Sequence, residues 1–241
     1  MLGPHRQAGC ARLRRGRPDP AMSRPAIIII GAGGHAIVVA DALLSQGREV
    51  LGFVDANQAL HGGRLLGLPV LGDDSALATH AGDSVELANG IGGTGTLGSV
   101  VRGTIRRAVQ ERLETQGWRF APVLHPRAVV SPYATIEPGS QVLAGAVVQA
   151  MSHVGRGAIV NTGAIVEHHC EVGAFVHLAP GCTLCGNVCI GEEAHIGAGA
   201  VVRQGVRIAS RVVVAMGAAV TRTVESGAVA GVPARPFGMS S

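Results

Sequence analysis

Every sixth residue from Leu124 to Val220 is aliphatic, and the residue four places after each of these positions, from Ala128 to Ala218, is Ala, Ser, Cys or Val. A period of six fits neither the roughly 3.6 of an amphipathic helix nor simple strand alternation, but it suits a chain that turns a corner after each short flat segment. Three such segments make one triangular coil of eighteen residues. Coils stacked at the inter-strand spacing of about 4.8 Å would set Val148, Val166, Leu184 and Val202 in one interior ladder. The pattern therefore predicts a parallel β-helix. Ordinary short strands in a sandwich would instead show turn signals about every 8–12 residues. Small residues at the second inward position suit the narrow corners of such a prism, and the near absence of aromatics reflects the same lack of room. Periodicity leaves the handedness of the coil open.

Ahead of the repeats the pattern changes. Ala26–Ile30 is a β-branched run that reads as a buried parallel strand, and it enters Gly31-Ala32-Gly33-Gly34-His35 and the apolar-periodic stretch from Ala36 to Leu44. This is strand, glycine turn, helix. Glycines let the backbone approach a ligand closely, and a helix start offers free N–H groups and a positive dipole end to phosphate. Val50–Val54 predicts the next strand and ends at Asp55, a carboxylate placed to accept hydrogen bonds from a ribose or base. Further strands are predicted over 65–71 and 85–89, and a helix over 100–116 leading into the repeats.

Gly31-x-Gly33-x-x-Ala36 with Asp55 also satisfies a loose dinucleotide fingerprint. An NAD-dependent oxidoreductase and a tight turn that merely packs helix on strand are both readings of that motif alone. The next domain in the chain is a β-helix rather than a hydride-transfer domain, which shifts the expected ligand toward a nucleotide-linked substrate. The expected organisation is a disordered basic tail over 1–24, a Rossmann-like nucleotide-sugar-binding domain over 25–120, the β-helix over 121–236 and a short tail over 237–241.

Charge alters the picture little once located. The first 24 residues hold six Arg against Asp19, so they carry more than the whole net charge of +4 and leave the remaining chain one negative. A near-neutral body with six aromatic residues offers neither a phosphate-neutralising face nor a stacking platform, which argues against nucleic-acid binding. The tail lacks apolar periodicity and ends beside a second methionine, Met22, which fits an upstream start better than a targeting arm. All twenty basic residues are Arg, a mark of codon bias rather than chemistry. No run reaches the roughly 18 apolar residues that span a bilayer, and no secretory signal is evident, so a cytoplasmic location is expected. Cys182-x-x-Cys185 invites a zinc reading, but Cys170 and Cys182 fall on small inward positions while Cys185 and Cys189 point elsewhere. Buried thiols and no metal are the expectation.

The chemistry concentrates in the middle of the repeats, where Glu167-His168-His169-Cys170-Glu171 precedes His177. His168 lies two residues beyond an inward aliphatic, at an outward or corner position, and an imidazole there is a natural general base near neutral pH. The plain alternative is a solvated surface histidine. His168 and His177 are nine residues apart, half a coil, so they lie across the prism and share a site only across a subunit boundary. His177 and His195 differ by eighteen and should stack.

The sequence resembles the hexapeptide-repeat sugar acyltransferases, in the branch with an N-terminal nucleotide-sugar-binding domain that includes UDP-amino-sugar N-acetyltransferases and sialic acid O-acetyltransferases. The resemblance runs from Ala26 to Pro236. It rests on Gly31 to His35, Phe53-Val-Asp55, Leu124-His-Pro-Arg-Ala128, Glu167-His168, Phe175 to Gly181, Gly186-Asn-Val-Cys-Ile-Gly191 and Ala230-Gly-Val-Pro-Ala-Arg235. It implies a left-handed β-helix, a homotrimer, acetyl-CoA as donor and direct attack of a sugar amine or hydroxyl on the thioester. It places His168 as the catalytic base and His177 as a second active-site histidine. Gly31, Gly33, Gly34, His35 and Asp55 match the segments that hold the sugar nucleotide. The region contacting the coenzyme is resembled at Gly186, Asn187, Gly231, Pro233 and Arg235. One catalytic position departs: the family has Glu or Asp directly after the base, where this chain has His169, and Glu167 or Glu171 is left as a substitute orienting group. An uncharged or cationic neighbour would lower the basicity of His168. Two rivals share the architecture: a non-catalytic scaffold that binds nucleotide sugars, and a zinc-dependent β-helical carbonic anhydrase, whose closely spaced histidine pair is missing here. The resemblance leaves the acceptor sugar and the choice between nitrogen and oxygen open.

Overall fold

The structure is a computed structural model that describes residues 24–80, 84–93 and 101–236. Nearly all of the basic tail, the second half of the glycine-rich stretch 89–98 and the C-terminal tail lie outside the described residues.

The N-terminal domain is a five-stranded sheet in the order β3-β4-β2-β1-β5, where β1 is Ala26–Ile30, β2 Val50–Val54, β3 Arg64–Leu65, β4 Leu68–Gly72 and β5 Val85–Asn89. β1 pairs in parallel with β2 on one side and β5 on the other, which makes it the central strand, and Ile27–Ile29 are fully buried. Helix α1 (Gly34–Ser45) continues directly from the glycine turn, with Gly33 as N-cap and no side chain capping its first N–H groups. The strand expected over 65–71 is two strands. Leu66 and Gly67 both take positive φ, 49° and 77°, and reverse the chain into an antiparallel hairpin. That backbone suits the right-handed strand twist of a two-residue hairpin, and the apolar run Leu65-Leu66-Gly67-Leu68 concealed it. Helix α2 (Val101–Thr115) then carries the chain to the repeats.

From Val123 onward the chain forms a left-handed parallel β-helix of two-residue strands in three sheets. Each strand pairs with the one eighteen residues ahead: Val148 with Val166, Val166 with Leu184, Leu184 with Val202. The second residue of each strand points inward and the small residue four places on joins it, so Val166, Cys170, Val172, Val176, Leu178 and Cys182 are all fully buried in one core. Each buried Val or Leu contributes about 1.5–3 kcal/mol, repeated with every hexad. From Gly139 to Gly217 the second turn residue of each corner adopts positive φ. Glycine serves this position in most turns, Gly163 and Gly181 among them, while His169 (φ 59°) and Phe175 (φ 56°) occupy it in the intervening two. After Val220 the register shortens: Val214 pairs with Val229, fifteen residues on, and a hairpin of Ala228–Ala230 with Arg235–Pro236 closes the end.

The first residue of each strand points outward and gives every face its own character. On the first face Gln141, Ile159, His177 and His195 lie beneath the N-terminal domain, and Ile159, Leu143 and Val123 share a buried core with Ile27, Ile29 and α1. The second face presents Val129, Val147, Ile165, Thr183, Val201 and Ala219, with Val129 63 % and Val201 44 % exposed. This stripe is apolar and uncovered. The third face is polar, with His153 held between Glu137 at 2.9 Å and Glu171 at 3.2 Å. Helix α2 anchors to the corner at Phe175, whose ring lies under the guanidinium groups of Arg106, Arg107 and Arg156 at 5.9, 5.6 and 5.1 Å, within reach of cation–π attraction.

Candidate active site

Four places gather the residues singled out from sequence. The first is a cleft of about 510 Å³ on the N-terminal domain, lined by Gly31, Gly33, Gly34, His35, Asp55 and the wall Gly90–Gly92. It lies at the carboxyl ends of β1 and β5, where open α/β sheets bind ligands. Asp55 faces it with both oxygens already accepting backbone N–H groups, Oδ2 from Ala32 at 2.7 Å and Oδ1 from Asn57 at 2.8 Å. The carboxylate is thereby fixed, and its second lone pairs remain for a ligand. His35 faces two ways, since it borders the cleft while its Nε2 meets Gln141 Oε1 at 2.7 Å across the domain junction. Burial lowers its pKa, which keeps it a neutral imidazole.

Behind that wall lies a second group. Gly93 sits so tightly on His177 that a Cβ there would be 2.6 Å from Nδ1. Asn161 meets Nε2 at 3.2 Å, and His195 stacks edge-on with ring centroids 4.9 Å apart, as the eighteen-residue step predicts. His177 is 8 % exposed. Desolvation, then the neighbouring His195 and Arg106, hold its pKa well below the ordinary imidazole value, and His195 is lowered by burial in the same way. The sequence missed Arg106. It is fully buried, donates to the carbonyl of Phe175, and is pushed down to about 10 by desolvation; its Nε and Nη1 have no partner among the described residues. Neighbouring Ile105, by contrast, is half exposed. That inversion of the usual order gives a pattern reading nothing to find. Gln141, Asn89 and Gln110 complete the junction, Asn89 donating to Gln110 at 3.2 Å.

His168 stands apart from both, on the corner between the second and third faces, opposite the first. Its ring lies across Gly186 of the next coil: a Cβ there would be 2.5 Å from Cε1 and 2.7 Å from Nε2. Its carbonyl accepts from the Asn187 N–H at 2.9 Å. Both His168 and His169 are exposed, and their Nδ1 atoms lie 3.1 Å apart with the rings edge-on. Among the described residues neither the Glu167 nor the Glu171 carboxylate is hydrogen-bonded to the His168 ring. Glu171 is committed to His153, while the corner geometry brings the adjacent imidazole to Nδ1.

Successive eighteen-residue steps from His168 give Gly186, Gln204 and Arg222 along the same corner. Arg222 lines a cavity of about 360 Å³ at the C-terminal end, together with Thr223, Ala234 and Arg235. Gly186 and Asn187 thus sit beside His168, and Arg235 sits some coils away with an arginine that sequence reasoning passed over. Gly231 and Pro233 belong to the closing hairpin. Cys170 and Cys182 are buried, and desolvation raises both thiols, Cys182 to about 12. Among the described residues no group of three or more His, Cys, Asp or Glu is arranged to hold a metal ion.

Comparison with known proteins places this geometry. The family described as the PglD N-terminal domain matches residues 26–102. The acetyltransferase domain of PglB from Neisseria gonorrhoeae FA1090, solved with acetyl coenzyme A, is 37 % identical; the match covers 89 % of this chain and 100 % of that one, with a TM-score of 0.80. PerB from Caulobacter crescentus, solved with CoA and GDP-perosamine, is 38 % identical over 88 % of this chain and 97 % of its own, with a TM-score of 0.79. WeeI from Acinetobacter baumannii AYE is 26 % identical over 87 % and 98 %, with a TM-score of 0.75.

Proposed function

The chain belongs to the hexapeptide-repeat sugar acyltransferase family, and within that family we propose that it transfers an acetyl group from acetyl-CoA to the amine of a nucleotide-linked amino sugar. The acetyl coenzyme A bound by the gonococcal relative and the GDP-perosamine bound by the Caulobacter relative support this donor and this acceptor class. Nitrogen is favoured over oxygen because a further Caulobacter structure similar to this chain is a perosamine N-acetyltransferase.

The observation that carries the reading is the placement of His168 relative to the cleft. The cleft belongs to the domain that covers the first face, and His168 occupies the corner opposite that face. A sugar held in the cleft therefore reaches the His168 of a neighbouring protomer. The uncovered apolar stripe from Val129 to Ala219 borders the same corner, and a second copy packed on it makes the crevice. Closed symmetry then gives the homotrimer.

In that crevice the amine nitrogen attacks the thioester carbonyl carbon and the carbon–sulfur bond breaks. His168 Nε2 takes the proton that the amine loses, CoA leaves as the thiolate, and no acyl-enzyme forms. The corner row gives the coenzyme its path. From His168 to Arg222 is three coils, about 14 Å at the inter-strand spacing, a length suited to the pantetheine arm. Arg222 and Arg235 at the far end are cations for its phosphates. Gly186 leaves that path open where any Cβ would meet the His168 ring. The cleft's glycine turn and the uncapped start of α1 suit the diphosphate of the sugar nucleotide.

A panel of GDP- and UDP-linked amino sugars, starting with GDP-perosamine, incubated with acetyl-CoA and read as free thiol release, tests the reading. We expect turnover with at least one amino sugar and none with its hydroxyl analogue. Thiol release with no member of the panel would favour the scaffold reading.

A further inference from the structure

We infer that His169 is the positioning residue of His168: its Nδ1 lone pair accepts the Nδ1–H of His168, which leaves the Nε2 lone pair of His168 bare toward the acceptor. This rests on the reading of His168 as base. Two Nδ1 atoms 3.1 Å apart are within hydrogen-bond distance, and one must donate while the other accepts. A base whose working nitrogen is Nε2 must carry its proton on Nδ1, so His168 is the donor and His169 the acceptor, itself protonated on Nε2. A free imidazole prefers the opposite tautomer, and a hydrogen bond at Nδ1 is what selects the needed one.

Among the described residues no other side chain is hydrogen-bonded to the ring. The turns stacked on either side, Ala150-Met151 and Gly186-Asn187, are uncharged; on its own turn Glu167 precedes it, and Glu171 is bonded to His153. His169 also sits at the left-handed corner position that glycine fills in most other coils.

The consequence differs from that of an acidic partner. A carboxylate would stabilise the imidazolium formed when His168 takes the proton and would raise its pKa. A neutral imidazole fixes the tautomer without that charge, and a proton on Nδ1 of His169 would remove the accepting lone pair and break the pairing.

The test needs variants that fold and a readout that needs no substrate. His169→Gly places the residue that this backbone position favours, so loss of function in it is not loss of fold. By nitrogen-15 NMR of histidine-labelled protein at pH 7.5, His168 should carry its proton on Nδ1 in the native chain and revert to Nε2 in His169→Gly. With acetyl-CoA and the amino-sugar nucleotide that gives the fastest thiol release, His169→Gly should lower kcat by roughly 10- to 100-fold, the size of losing an orienting partner, with KM unchanged. His169→Asn, a neutral acceptor, should recover most of kcat with the native acid limb. His169→Glu should recover it with the acid limb moved to higher pH. An Nε2-protonated His168 in the native chain, or native kcat in His169→Gly, would overturn the inference while leaving His168 as base. Native turnover in His168→Ala would overturn the base assignment instead.

Discussion

Replacing His168 by Ala lowers kcat for acetyl transfer by about 100-fold or more, the usual worth of a positioned general base, and leaves the KM values within a few-fold. The ring is exposed on a corner, beside Gly186 and His169 and outside the hydrophobic core, so its removal leaves no cavity there. The measurement is steady-state thiol release beside a thermal melt. A melt unchanged from the native protein with activity lost identifies a chemical role, and unchanged activity would reduce His168 to a solvated surface residue.

An equally large effect is expected from one charge on the second face. Ile165 points outward in the middle of the apolar stripe, flanked in register by Val147 and Thr183, one turn before His168. Ile165→Arg puts an unpaired guanidinium where a second copy must pack, and an uncompensated buried charge costs several kcal/mol. On the monomer the same side chain is in water. We expect a folded protein that sediments as a monomer and has activity below about 1 % of native, because the cleft of one chain no longer meets the corner of another. A monomer of full activity would place cleft and base in one chain and refute the shared crevice.

The repeats were open to sequence reading because each six-residue step imposes two size limits at once, an aliphatic ladder position and a small corner position, with no slack for exceptions. The ladder from Val148 to Val202, the inward thiols of Cys170 and Cys182 and the His177–His195 stack all come from that arithmetic. The glycine turn after β1 was open for a related reason, since a close backbone approach leaves a mark in glycine. What escaped lies where tertiary contacts override local pattern. Arg106 is buried only because the corner at Phe175 offers carbonyl acceptors and an aromatic face, neither of which its own helix records. The hairpin at Leu66-Gly67 hid in an apolar run whose reversal depends on backbone sign alone. Nor does charge or spacing reveal that the left-handed turn at His169 brings its Nδ1 to 3.1 Å from that of His168.

A crystal structure of the native protein with acetyl-CoA most directly tests whether protomers share the catalytic crevice. We expect a trimer in which the thioester lies within about 4 Å of His168 Nε2, with the coenzyme along the Gly186 corner toward Arg222 and the Gly31–Asp55 cleft of the adjoining protomer opening onto the same crevice. A thioester bound far from His168, or a His168 corner that faces only solvent in the assembly, would contradict it.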